Sequence, residues 1–184
     1  TAPFAGVTAT SRIWTWLALA ACPSILWLAV ANHLSQDVAA VPFVWVLPLS
    51  IYLLSFILCF DSDGWYRPRL FQYLVPFSWV GIVVCVSQKG YLDLLLVLVV
   101  LSLSLFLCCM FCHGELARLR PAPDELTSFY LSIAAGGAGG GIFVGLIAPR
   151  VFDQFMELPV ALIGCILLAL WLLYSLPRKR LLRL

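Results

Sequence analysis

The sequence predicts an all-α integral membrane protein with six transmembrane helices and both termini in the cytoplasm. Three observations carry that expectation. The 184 residues are 63% hydrophobic and only 11% charged, whereas soluble domains carry about 25% charged residues. The apolar residues gather into six runs near the length of about 20 that crosses a hydrocarbon core. The basic residues alternate between the ends of those runs: nine of the eleven Lys and Arg fall on one side.

Residues 1–11 are small and uncharged, and are read as a flexible or interfacial segment. No cleavable signal peptide is evident. The six-helix domain covers residues 12–177, with spans at 13–31, 38–60, 70–87, 91–111, 126–148 and 158–176, and a basic tail at 178–184. Prolines interrupt several spans: Pro23 in the first, Pro42 and Pro48 in the second, Pro76 in the third. Each removes a backbone bond and bends a helix. Bent packing helices account for them, or broken helices along a transport path. Trp14, Trp16, Trp65, Tyr66, Tyr91 and Tyr174 lie at span ends, as an interfacial aromatic belt requires. Trp27, Trp45, Trp79 and Trp171 fall inside spans and are read as packing or lipid-facing.

One group of loops carries Arg12, Arg67, Arg69, Arg118, Arg120, Arg178, Lys179, Arg180 and Arg183; the other carries Lys89 and Arg150. Positive charge stays in the cytoplasm. The bias therefore sets both termini there and favours an even number of spans. The acids lie at span ends rather than deep within them. Since intramembrane charge marks ion and proton pathways, their position argues against an autonomous transporter.

Few residues offer chemistry. The seven cysteines, at 22, 59, 85, 108, 109, 112 and 165, lie in or beside apolar runs. Their odd number does not suggest a secreted disulfide framework, and they are read as small packing residues. Cys109-Met110-Phe111-Cys112-His113 matches the c-type haem attachment pattern. The charge count places His113 inside, though, and that attachment happens outside the membrane. His33 and His113 are the only histidines. They are weak candidates for cofactor ligands. Read at opposite membrane faces, they cannot share a metal, and the alternative is two interfacial side chains bonded to loop backbone. Asp37 could pair with His33 as a proton site, but is read as a cap for the second helix. Asp124 is read as the cap of the fifth span. Glu115 and Arg118 form an i,i+3 pair. No catalytic arrangement, metal cluster or phosphate loop emerges. The expectation is a protein that is not an enzyme, with no cofactor and no nucleic-acid partner.

Gly136, Gly137, Gly140, Gly141 and Gly145 repeat at small-xxx-small spacing, which is a helix-contact face. Gly137 and Gly141, with Gly136 and Gly140 beside them, are read as one groove, filled by the first helix (Ala18, Ala21, Ala29) or the fourth (Ser102, Ser104), in which Leu at 137 or 141 would overpack. Gly114 is placed in the inner loop, where Gly114→Ala should be milder unless a positive φ is needed.

The run Cys112-His113-Gly114-Glu115-Leu116-Ala117-Arg118-Leu119-Arg120-Pro121-Ala122-Pro123, then Leu126-Thr127-Ser128-Phe129-Tyr130-Leu131, is the most distinctive in the chain. Together with Asp37 to Pro42, Trp45 to Leu49, Tyr52 to Leu58 and the glycine run, it resembles the membrane part of the fused major-facilitator/spermidine-synthase-like bacterial proteins. The resemblance covers roughly residues 12–165 and implies half of a major-facilitator-like bundle in a bacterial cytoplasmic membrane. Relatives carry a soluble aminopropyltransferase-like domain. This sequence has no strand and glycine loop for that cofactor, so polyamine synthesis is not carried over. The resulting expectation is a non-catalytic scaffold or accessory subunit of a larger membrane complex, respiratory or photosynthetic, in contact with lipid and other membrane subunits. The alternatives are a half-transporter for a polyamine or other small solute, and a membrane anchor for a spermidine-synthase-like enzyme.

Overall fold

The computed structural model describes residues 9–37, 45–62, 64–88, 93–152 and 156–175, and no strand occurs among them. The elements are α1 (Ala9–Asp37), α2 (Val46–Asp61), α3 (Pro68–Ser87), α4 (Leu94–Arg118), a 3-10 turn (Pro123–Glu125), α5 (Leu126–Ile142), a π segment (Phe143–Ile147), α6 (Ala148–Val151) and α7 (Glu157–Ser175). From the 3-10 turn to α6 the chain runs as one rod, so the elements form six rods. Five rods are long and apolar enough to cross a membrane, and α2 is shorter at 16 residues. The chain is a helical, multi-pass membrane protein.

α1 is the central helix. Leu19, Leu26, Val30 and Leu34 are fully buried, and α1 packs against α5, α4, α7 and α2. α3 lies outside, on α4. Gly81 makes that approach possible, because a Cβ there would lie 2.9 Å from Ser104 Oγ. The outer face of α3 carries exposed Tyr73, Phe77, Val80 and Val83, and such a face is bilayer-facing.

The ends of several rods differ from the expected spans. α1 runs from residue 9 to 37 rather than 13–31. Residues 38–44, including Pro42, lie outside the described residues, as do 1–8, Lys89, Tyr91, Asp153, the tail and the Asp37 side chain. Pro48 does not break α2; it lies in the first turn, where its missing N–H costs no intrahelical bond. Pro23 and Pro76 do lie inside α1 and α3. The largest revision is at α4, which continues seven residues past Phe111 to Arg118. The charged side chains of that stretch are partnered, Glu115 by Tyr66 and by Arg118 one turn on, so the helix has no reason to stop at the last apolar residue. Asp124 is not a cap: it sits within the 3-10 turn, where no side-chain cap bond forms.

The aromatic belt is partly as expected. Trp14, Trp65 and Tyr174 are exposed, but Trp16 and Tyr66 are buried. Trp16 meets Phe129 edge-on at 5.2 Å, and Tyr66 is held by α4.

Candidate functional site

The distinctive run from Cys112 to Tyr130 lies at one end of the bundle. Its ion pairs show which elements share that end. Arg12 of α1 grips Glu125 with two hydrogen bonds of 2.8 and 2.9 Å. Tyr66, between α2 and α3, donates 2.8 Å to Glu115 Oε1 on α4. The start of α1, the α2–α3 loop and the α4–α5 loop therefore lie together. That grouping is the one the Arg12, Arg67, Arg69, Arg118 and Arg120 count predicts for a single membrane side.

Glu115 is the centre of this end. It is 2% exposed, and Arg118 one turn on approaches both its oxygens, at 2.9 and 3.2 Å. A buried carboxylate is tolerable only when such partners replace water. Gly114 lets the arrangement form. It is not in a loop but inside α4, and a Cβ there would collide with the Tyr66 ring. Burial, and then the Glu115 carboxylate, push the Tyr66 phenol well above its ordinary pKa of 10.0. Tyr66 stacks on Phe71 at 5.3 Å. A groove of about 360 Å³ opens beside it, lined by Cys59, Ser62, Pro68 and Arg118 among others.

His113 points the other way, into the bundle. It is 1% exposed, so the reading of an interfacial histidine bonded to loop backbone is corrected. Its Nδ1 lies 3.0 Å from Ser55 Oγ of α2, and Tyr52 and Phe56 meet its ring edge-on at 5.2 and 5.3 Å. Ser55 also donates 2.8 Å to the Tyr52 carbonyl. With that hydroxyl proton committed, Nδ1–H of the imidazole is the donor to Ser55. His33 is buried too. It lies eleven residues beyond Cys22 on α1, a rise of about 16 Å. Cys22 is level with Cys112, so the two histidines are about half a hydrocarbon core apart, not a whole one. They still cannot share a metal.

Pro121 precedes the 3-10 turn and Pro123 opens it. Tyr130 is exposed, with the Arg120 guanidinium 6.0 Å over its ring.

Of the five glycines read as a contact face, Gly136 and Gly140 meet a neighbouring helix. A Cβ on Gly136 would lie 2.5 Å from the Leu17 carbonyl oxygen and 2.9 Å from Ala20 Cβ. One on Gly140 would lie 2.9 Å from the Ala21 oxygen. The partner is α1, not α4, and Ser24 Oγ donates 2.9 Å across to the Gly137 carbonyl. A Cβ on Gly137, Gly141 or Gly145 would meet nothing within 4 Å, so these three are not packing contacts. Spacing alone cannot choose between two overlapping i,i+4 pairs. The choice follows from Phe129 and Ser132, buried on the same stripe as Gly136 and Gly140.

The arrangement that sequence reasoning misses altogether joins three helices. The Sγ atoms of Cys22 on α1, Cys112 on α4 and Cys165 on α7 all lie within 4.8 Å of one another, and all three residues are buried. Positions 90 and 53 residues apart leave no local signal. No family model, curated protein or solved structure matches the chain.

Proposed function

We propose that this chain is a non-catalytic scaffold or accessory subunit of a larger membrane complex, of respiratory or photosynthetic type, in a bacterial cytoplasmic membrane with both termini in the cytoplasm. The observation that carries the reading is how the buried polar groups are used. Thr15, Ser55, Ser78 and Ser132 each donate to a carbonyl three or four residues back in their own helix, and Ser24 ties α1 to α5. They serve packing rather than lining a path. The fully buried acids among the described residues, Glu115 and Glu157, lie near helix ends, whereas a polyamine path calls for acids facing a central cavity. The resemblance of the Cys112–Tyr130 run to spermidine-synthase-like membrane proteins supports the membrane setting and no particular chemistry.

A half-transporter is the second reading. Pro23, Pro76 and the π segment favour it, since interrupted helices line transport paths and π turns concentrate at functional sites. Purification from native membranes in mild detergent separates the two. The scaffold reading expects a stoichiometric set of other membrane proteins, with no spermidine uptake by proteoliposomes of the isolated chain. Recovery of the chain alone, with spermidine uptake, would overturn it.

A further inference from the structure

We propose that Cys22, Cys112 and Cys165 form a three-sulfur site for one soft monovalent metal ion, Cu(I). All three thiols are free and buried. They come from three different helices, α1, α4 and α7, so their meeting is a property of the tertiary fold and not of a local repeat. A metal–sulfur bond of about 2.3 Å sets sulfur separations of about 4 Å around a trigonal ion. The three Sγ atoms, already within 4.8 Å of one another, need to close by less than 1 Å.

The donor set selects the ion. Sulfur-only sites suit Cu(I), Zn(II) and iron–sulfur clusters. Structural zinc takes four ligands in a tetrahedron, and iron–sulfur clusters take four protein ligands. Three converging sulfurs leave the trigonal geometry that Cu(I) accepts. Cys108 lies one turn before Cys112, with its Sγ 3.2 Å from Ser78 Oγ of α3. A groove of about 300 Å³ between α1, the π segment and α7 reaches Cys22, lined also by Ala18, Ala21, Phe143 and Gly164. It supplies an approach to the thiols, which a working metal site needs. The π segment turns Phe143 to that groove, giving this otherwise unassigned break in the α5 rod a role.

Binding moves three protons and no electrons. Each thiol loses its proton to solvent as its sulfur bonds to copper, since the thiolate is the metal ligand, and the metal remains Cu(I).

The test is anaerobic titration of the reduced, detergent-purified full chain with Cu(I) against a competing copper chelator, followed by X-ray absorption at the copper edge. The expected result is one Cu(I) per chain, three sulfur neighbours at about 2.3 Å, and an affinity that rises with pH as the three thiols give up their protons. Cys112→Ala and Cys165→Ala should each weaken binding at least about tenfold, as losing even an outer-layer partner does, while Cys85→Ala on α3 should leave it unchanged. Binding that survives both substitutions would overturn the proposal, as would copper with nitrogen or oxygen neighbours or tighter retention of Zn(II). If the alanine variants fail to fold, the copper-edge spectrum of the parent chain decides alone.

Discussion

Gly136→Leu should remove most of the folded protein, while Gly141→Leu should melt like the parent chain. The two positions lie on the same helix, one turn and a residue apart, and carry the same residue. They differ in what faces them. At Gly136 even the first carbon of a side chain falls 2.5 Å from a backbone oxygen of α1. Backbone cannot rotate away as a flexible side chain does, so α1 and α5 must separate. Overpacking of a fitted contact costs about 1–3 kcal/mol, and this one also strains the Ser24–Gly137 hydrogen bond across the same seam. Since α1 is the helix on which the others pack, the loss should spread through the bundle. Gly140→Leu should act in the same direction, against the Ala21 oxygen at 2.9 Å. Thermal melting of the four proteins in one detergent checks the order; a Gly141→Leu defect as deep as that of Gly136→Leu would place α5 the other way round.

The second large effect is expected at the Tyr66–Glu115 contact. Gly114→Ala should push the Tyr66 ring out of its seat and break its hydrogen bond to Glu115. Hydrogen bonds to charged groups contribute about 1.5–3 kcal/mol, and the displaced ring adds its own packing loss. The mechanism makes a sharper statement than the magnitude. Once Tyr66→Ala has removed the ring, adding Gly114→Ala should cost almost nothing more, so the two effects should not add. Additive losses would mean that Gly114 matters for some other reason. The same contact gives a pH dependence. The phenol's pKa is raised on folding, so the native state holds its proton more tightly than the unfolded chain does. The stabilisation is then fully present below the ordinary value of 10.0 and is lost as pH rises through the raised one. Tyr66→Phe should flatten that alkaline limb.

Much of the fold is legible in the sequence because the membrane makes strict demands. Hydrocarbon leaves backbone groups no partner outside a helix, so the apolar runs of 94–111 and 158–175 had to be helical. The Arg12, Arg67 and Arg118 grouping identified which ends lie together. What the sequence concealed depends on contacts between runs. His113, Gly114 and Glu115 look like the start of a charged loop, because hydropathy cannot register that Ser55 and Tyr66 satisfy them inside the bundle. Gly136 and Gly137 both fit the small-xxx-small spacing, and only the packing of α1 on the stripe of Phe129, Ser132, Gly136 and Gly140 separates them. Cys22, Cys112 and Cys165 look like three unrelated small hydrophobes until α1, α4 and α7 are packed together.

The central claim is that the interior is filled by packing and that no aqueous path crosses it. The most direct measurement is modification of the native cysteines by a charged, membrane-impermeant thiol reagent, applied to both faces of intact membranes. Cys108, Cys109, Cys112 and Cys165 are all fully buried. None of the four should react until the protein is unfolded. Reaction at Cys112 or Cys165 in folded protein, slowed by added spermidine, would reveal water and a solute at the middle of the bundle and would contradict the scaffold reading.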